Sequence, residues 1–492
     1  MNNILIEFLK SLKENELPQF SDFINSPFFN KNKNITKLIS ELLNFYPEFE
    51  NKNLTEEKLY TKVTGKKDYN KKIFNNLISE ANKISTGFYK LIPYIKNDLT
   101  NDFSMLREFN NRKLDSRYLK LKDEIENKIS SADININYFR DKLNLSKNEV
   151  EFLINRTEYK QIIEKLSSRS NHLIYDFVLK LIYDYQEMIT FTNLRNKEFN
   201  NSLTYHLIEN INFDKIIESF NSSSGENQNS FDKNYLMMYV YFVKALLNLN
   251  DDESYFKYKS LLLSLIDKFN HVEKNANLLR LNNLIVYKIN FENKISLVEE
   301  ELNVYKLMLE YGTYNYGSAK KNFRIITFRN IILVSFEIKD KNFLEYFLNK
   351  YTEEVSEQYR EDMYHYGMLF LEFLNQKYES SLEHLNKVNY SHFLFKTDLR
   401  SISLMIHYEL GNYETAFSLI DSFSKFLERS DEVNDFLVEV NREFIKYFSE
   451  LIKYKTGDLN IDLGYLESKI SNRYSKENIW LSEKISEIKN GD

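Results

Sequence analysis

Seven histidines, many carboxylates and a knot of lysines around Gly65 are the places where this sequence could do chemistry. The histidines are His172, His206, His271, His365, His384, His392 and His407. A helix-borne metal site needs ligands one turn apart on a single face. No histidine here is paired with a carboxylate in that pattern. His384 and His392 would share a face only if one helix ran unbroken through the intervening "NKVNY". There is no cysteine, which removes thiolate ligands and thiol nucleophiles. "VTGKKDYNKK" has the lysines of a phosphate-binding loop but a single glycine, Gly65, so its backbone cannot fold into a phosphate cradle. No serine stands in a nucleophile-elbow pattern. The residues therefore predict no catalytic, cofactor-binding or metal-ligating set, and a chain that is not an enzyme.

The strongest specific alternative is Thr55 to Ser85, "TEEKLYTKVTGKKDYNKKIFNNLISEANKIS". It predicts a short helix capped by Thr55, a turn at residues 64–67, and a long helix from Asp68 or Tyr69. That is the order of a helix-turn-helix. Tyr69, Ile73, Leu77, Ile78, Ala81 and Ile84 are expected to face inward. Lys66, Lys67, Lys71 and Lys72 could neutralise phosphates, and Asn75 and Asn76 could read adenine edges. The stretch resembles the helix-turn-helix of bacterial activators in which a DNA-binding module precedes tetratricopeptide-like repeats. It departs from them in lacking the leading strands and arginine base readers. An ordinary helical hairpin would look the same.

"FINSPFFNKNKN" places Phe28 and Phe29 in an otherwise polar corner. Pro27 ends the helix before it near Asn25, and Asn34 is expected to cap the next one. The two phenylalanines are expected to plug the groove between these helices, with a ligand-contacting loop as the alternative. "FSDFINSPFFNKN", "NFYPEF" and "LTEEKLYTKV" together resemble the N-terminus of an uncharacterised group of long helical bacterial proteins. The resemblance covers roughly the first ninety residues and implies no activity.

The elements that must position such residues are all helical. The 492 residues are 42% hydrophobic and 28% charged, a globular balance. Net charge is −6, so bulk electrostatics favour neither nucleic acid nor an anionic membrane. The longest apolar run, Tyr235 to Val243, is about half a bilayer span. The start has no signal-peptide pattern, and a cytoplasmic location is expected. Pro18, Pro27, Pro47 and Pro93 are the only prolines, and there are 10 glycines. Without that punctuation, helices joined by short polar turns are expected. "ITKLISELLNFY" carries an apolar stripe at helical spacing.

"VSFEIKDKNFLEYF", "LFLEFLNQKYESSL" and "LMIHYELGNYETAF" align at an offset of 35 residues, with five apolar columns. "ELGNYETAF" resembles the turn of a tetratricopeptide repeat, with Gly411 relieving the turn and Ala416 allowing close packing. In the other two units Gln376 and Lys341 replace the glycine, and Ser381 and Tyr346 fall in the small-residue column. "YKTGDL" suggests one further turn. The resemblance implies an all-α protein, an α-solenoid of such hairpins behind an N-terminal helical module. The expected domains are a module over 1–100, a middle helical region over 101–225 and repeats over 226–492. The loop "NSSSGENQNS" lies at the second boundary. A non-catalytic scaffold binding a peptide or protein on its repeats is the expected function. The alternative is a DNA-binding regulator using the helix-turn-helix at 55–85. No cofactor and no membrane partner is expected.

Overall fold

The computed structural model describes residues 4–50, 54–92, 99–195, 202–222, 230–315, 322–389, 393–429, 435–458, 460–471 and 473–491. Most of the 221–230 loop and His392 lie outside them. Among the described residues there are 24 α-helices and no strand, packed as sequence-adjacent pairs. Two isolated bridges, Ile134 with Phe269 and Asn315 with Phe323, are the only β contacts among them. The scarcity of proline and glycine explains this, because nothing interrupts helix propagation except local caps.

Two compact units divide the chain, residues 1–131 with 141–169, and 132–140 with 170–492. In the first unit one apolar core runs from Leu5 to Phe88. Ile35, Leu38, Ile39 and Leu42 enter it from the helix Lys33–Leu43, as their spacing predicts. That helix is capped by the Asn32 side chain, which accepts from the amide of Asn34. The expected cap, Asn34, is thus one of the residues being capped.

In the second unit the helix pairs share one way of stopping. Lys339, Gln376, Gly411 and Gly457 all have a left-handed backbone. The next amide in each case, on Asp340, Lys377, Asn412 and Asp458, donates to the carbonyl five residues back. This motif satisfies carbonyls that the helix end leaves without partners. The sequence shows it openly only where glycine is used. Gln376 occupies the glycine position as aligned, whereas the left-handed residue of the preceding unit is Lys339 rather than Lys341. That early stop moves the following helix by two residues. The small-residue column is then Leu344, Ser381 and Ala416, all fully buried, while Tyr346 is half exposed. Before the turn, Val334, Leu369 and Leu404 are buried, and so are Phe336, Leu371 and Ile406, whereas Ile338 is half-buried beside Phe373 and Tyr408 of its column.

A non-glycine residue in the left-handed region is strained. Gln376→Gly should therefore raise the unfolding free energy by about 0.5–1 kcal/mol. A urea midpoint that falls would place Gln376 outside this motif.

Candidate functional site

The helix-turn-helix residues lie in the first unit. Thr55 accepts from the amide of Lys58, and Glu56–Thr64 ends at Gly65 with φ 73°. The second helix is Lys71–Phe88, beginning later than expected because Asn70 caps it. Tyr69 therefore precedes the helix, where its hydroxyl donates to Glu56 Oε2 at 2.6 Å. The inward face is Phe74, Leu77, Ala81, Ser85 and Phe88. Ile73, expected inside, is 46% exposed. Phe74 takes its place on the face that meets Ile4–Ser11, Leu17–Asn25 and Lys33–Leu43. Lys66, Lys67, Lys71, Lys72, Asn75 and Asn76 are all exposed. Among the described residues none of these four lysines forms an ion pair, whereas Lys62 pairs with Glu41 at 2.7 Å.

The corner at residues 26–32 is held by a polar side chain. Buried Asn30 donates to the Ile24 carbonyl at 2.9 Å and to Thr36 Oγ1 at 3.0 Å, and accepts from the Asn32 amide at 2.9 Å. Phe29 is 41% exposed and packs on Phe23 at 4.6 Å between ring centroids. Phe28 is 83% exposed and rests edge-on against Phe29. The expected plug is therefore wrong for Phe28, because the groove is already closed by Asn30 and Phe29. Phe28→Ala should leave stability within about 0.5 kcal/mol. Asn30→Ala should cost about 1–2 kcal/mol, since the Ile24 carbonyl, Thr36 Oγ1 and the Asn32 amide each lose one hydrogen bond in a partly buried corner. Thermal unfolding of the two variants checks both values.

The densest arrangement of charged and aromatic groups is in the second unit, and sequence reasoning missed it. The last helix, Lys476–Asn490, is capped by Ser475, which accepts from the Asn478 amide. Lys476, Trp480 and Lys484 follow one another at four-residue spacing, so they form a stripe on one face. That stripe meets Phe393–Glu409. Trp480 Nε1 and Lys484 Nζ both donate to Glu409 Oε1 at 2.9 Å. Lys476 lies 3.6 Å from Asp398 Oδ1. Trp480 packs edge-on to Tyr408 at 5.2 Å and against Phe448 at 5.9 Å. Glu483 reaches Lys339, in the turn after Ile325–Glu337, at 2.6 Å.

Asp398 is the hub of this region. Arg329 Nη2 donates to its Oδ1 at 2.7 Å and Tyr366 to its Oδ2 at 2.7 Å. Burial opposes its charge, but Arg329 and then Lys476 hold its carboxyl below the ordinary range. Nearby carboxyls behave oppositely. Burial, and then the neighbouring Glu337, push Glu301 from 4.5 up to about 8. Burial pushes Glu337 to about 7 against the pull of Lys476. Cavities flank the last helix. One of about 740 Å³ is bordered by Asn293 and Ile295 on the facing side. The other, about 260 Å³, is bordered by Phe336, Phe373 and Tyr378.

The raised carboxyls fix a pH dependence. A raised carboxyl binds a proton in the folded chain that the unfolded chain has released. Its stability is full below about pH 4.5 and is lost as pH rises towards about 8 for Glu301 and about 7 for Glu337. Glu301→Gln should remove the first contribution. Its melting temperature should exceed the parent's at pH 8 and approach it at pH 4.5. A gap that does not change between pH 4.5 and pH 8 would place Glu301 in water.

Two other clusters are closed upon themselves. Arg280 is buried over the Tyr183 ring at 4.0 Å and donates to Asn277 Oδ1 at 2.9 Å and to Gln186. Tyr183 donates to Glu273 Oε2 at 2.8 Å. Tyr239, from Ser230–Leu247, donates to Asn277 Oδ1 at 3.0 Å, so the network joins three helices. His365 and His384 meet Nδ1 to Nδ1 at 2.8 Å, so at least one of the two is neutral. Among the described residues no group of three or more His, Asp or Glu could hold a metal ion. No helix of the described residues is long and apolar enough to cross a membrane.

No protein-family model matches the chain, and neither a curated protein nor a solved structure matches it.

Proposed function

We propose that this chain is a non-catalytic scaffold that binds a protein segment on the first helices of its C-terminal pairs. These pairs then form an α-solenoid of tetratricopeptide-like hairpins, an architecture that offers an extended inner face to a partner. One observation carries the proposal: a helix, Lys476–Asn490, is already held by this face through Glu409 and Asp398. A surface that seats one amphipathic helix has the chemistry to seat another. Fold alone would not settle it.

Affinity capture from the native cell tests the proposal, using the full chain and the Glu409→Lys chain, with partners identified by mass spectrometry. A protein recovered at least tenfold less with Glu409→Lys is expected. Identical recoveries from both chains would count against this face.

The exposed lysines and asparagines of Lys71–Phe88 favour a second use, duplex DNA binding. Were it correct, binding would fall steeply with salt and would vanish when Lys66, Lys67, Lys71 and Lys72 are all changed to Glu. The expected result is no shift of duplex DNA even at low salt.

A further inference from the structure

We infer that the groove around the last helix is an exchangeable site for a partner helix bearing a cation–aromatic–cation stripe. Lys476–Asn490 is then its resident substitute. The inference rests on the scaffold proposal and names the chemistry of the partner.

The occupant specifies the stripe. Lys476 faces Asp398, Trp480 sits on Tyr408 and Phe448, and Lys484 faces Glu409. A lysine or arginine, an aromatic four residues later and a second cation after four more would meet the same three sites.

Two features make this occupant replaceable. Part of its attachment is ionic, and separating Lys484 from Glu409 returns hydration to both charges, unlike separating apolar surfaces. Open pockets of about 740 and 260 Å³ also border the helix. Opposing release, Leu481 and Ile485 are fully buried. A tethered segment competes at an effective concentration of millimolar order. A partner must therefore bind more tightly than the resident helix, or the resident helix must be weakened.

The chain's one tryptophan, Trp480, reports its own release. The probe is a synthetic peptide of Ser475–Gly491 with Trp480→Phe, added to the full chain. Trp480 emission should shift to longer wavelength as the peptide displaces the tethered helix. The Lys484→Glu chain should need at least tenfold less peptide than the parent. A peptide with Lys476→Glu and Lys484→Glu should have no effect. Unchanged emission in both chains up to the peptide's solubility limit would overturn the inference. If capture still recovers a Glu409-dependent partner in that case, the scaffold proposal survives alone.

Hydrogen exchange on the unmodified chain keeps the inference testable if Lys484→Glu fails to fold. Amides of Lys476–Asn490 should exchange together and well before those of Asp435–Lys455. Exchange of both helices only by global unfolding would make the last helix a fixed part of the core and overturn the inference. Dimers formed by swapping this helix between copies would put a second copy in the groove and likewise exclude a separate partner.

Discussion

Asp398→Ala should lower the unfolding free energy by about 3–5 kcal/mol, the usual cost of breaking a buried ion pair from one side. Asp398 is almost wholly buried and receives Arg329, Tyr366 and Lys476. Removing its carboxylate leaves the Arg329 guanidinium without its anion in a place that water reaches poorly. Lys476 keeps Glu477, 3.0 Å away, so the damage centres on Arg329. The companion Arg329→Met change should restore part of the loss, because the pair is then absent rather than broken. Urea unfolding of both chains measures this. A single variant within about 1 kcal/mol of the parent would mean that water solvates the pair.

Ala416→Trp should cost about 1–3 kcal/mol or more. Ala416 is fully buried in the first turn of Tyr413–Glu428, five residues after the left-handed Gly411. Ser381 holds the equivalent place one pair earlier, where its hydroxyl donates to the Leu369 carbonyl at 2.8 Å. Neither place has room for an indole without parting the two helices. An unchanged unfolding midpoint would show Ala416 to be exposed and the pairing of helices to be wrong.

Helices were legible in the sequence because each carries an apolar stripe and little breaks it. The stop at Gly411 was legible because glycine favours a left-handed backbone. The stop at Lys339 was not, because a lysine carries no such mark, and with it the two-residue slip that puts Leu344 in the small column was hidden. Whether Ile73 or Phe74 turned inward was set by the helices packed on Lys71–Phe88, which local spacing does not reveal. Asn30 read as one more polar loop residue, though its three hydrogen bonds hold the corner.

The groove was the least legible part. Trp480 and Glu409 are 71 residues apart, and Lys339 and Glu483 are 144 apart. Nothing local marks which of 66 cations meets which of 72 anions. Lys476, Trp480 and Lys484 could have been noticed as a stripe, since a lone tryptophan between two lysines at helical spacing is unusual in this composition. Their partners could not.

Photo-cross-linking in the native cell tests the central claim most directly. A photoreactive phenylalanine analogue is placed in the full chain at Tyr378, beside the smaller cavity, and separately at Asn75 on Lys71–Phe88. A covalent adduct with a protein is expected from position 378, reduced at least tenfold by Glu409→Lys, and no nucleic-acid adduct from position 75. A nuclease-sensitive adduct from position 75 with none from position 378 would contradict it.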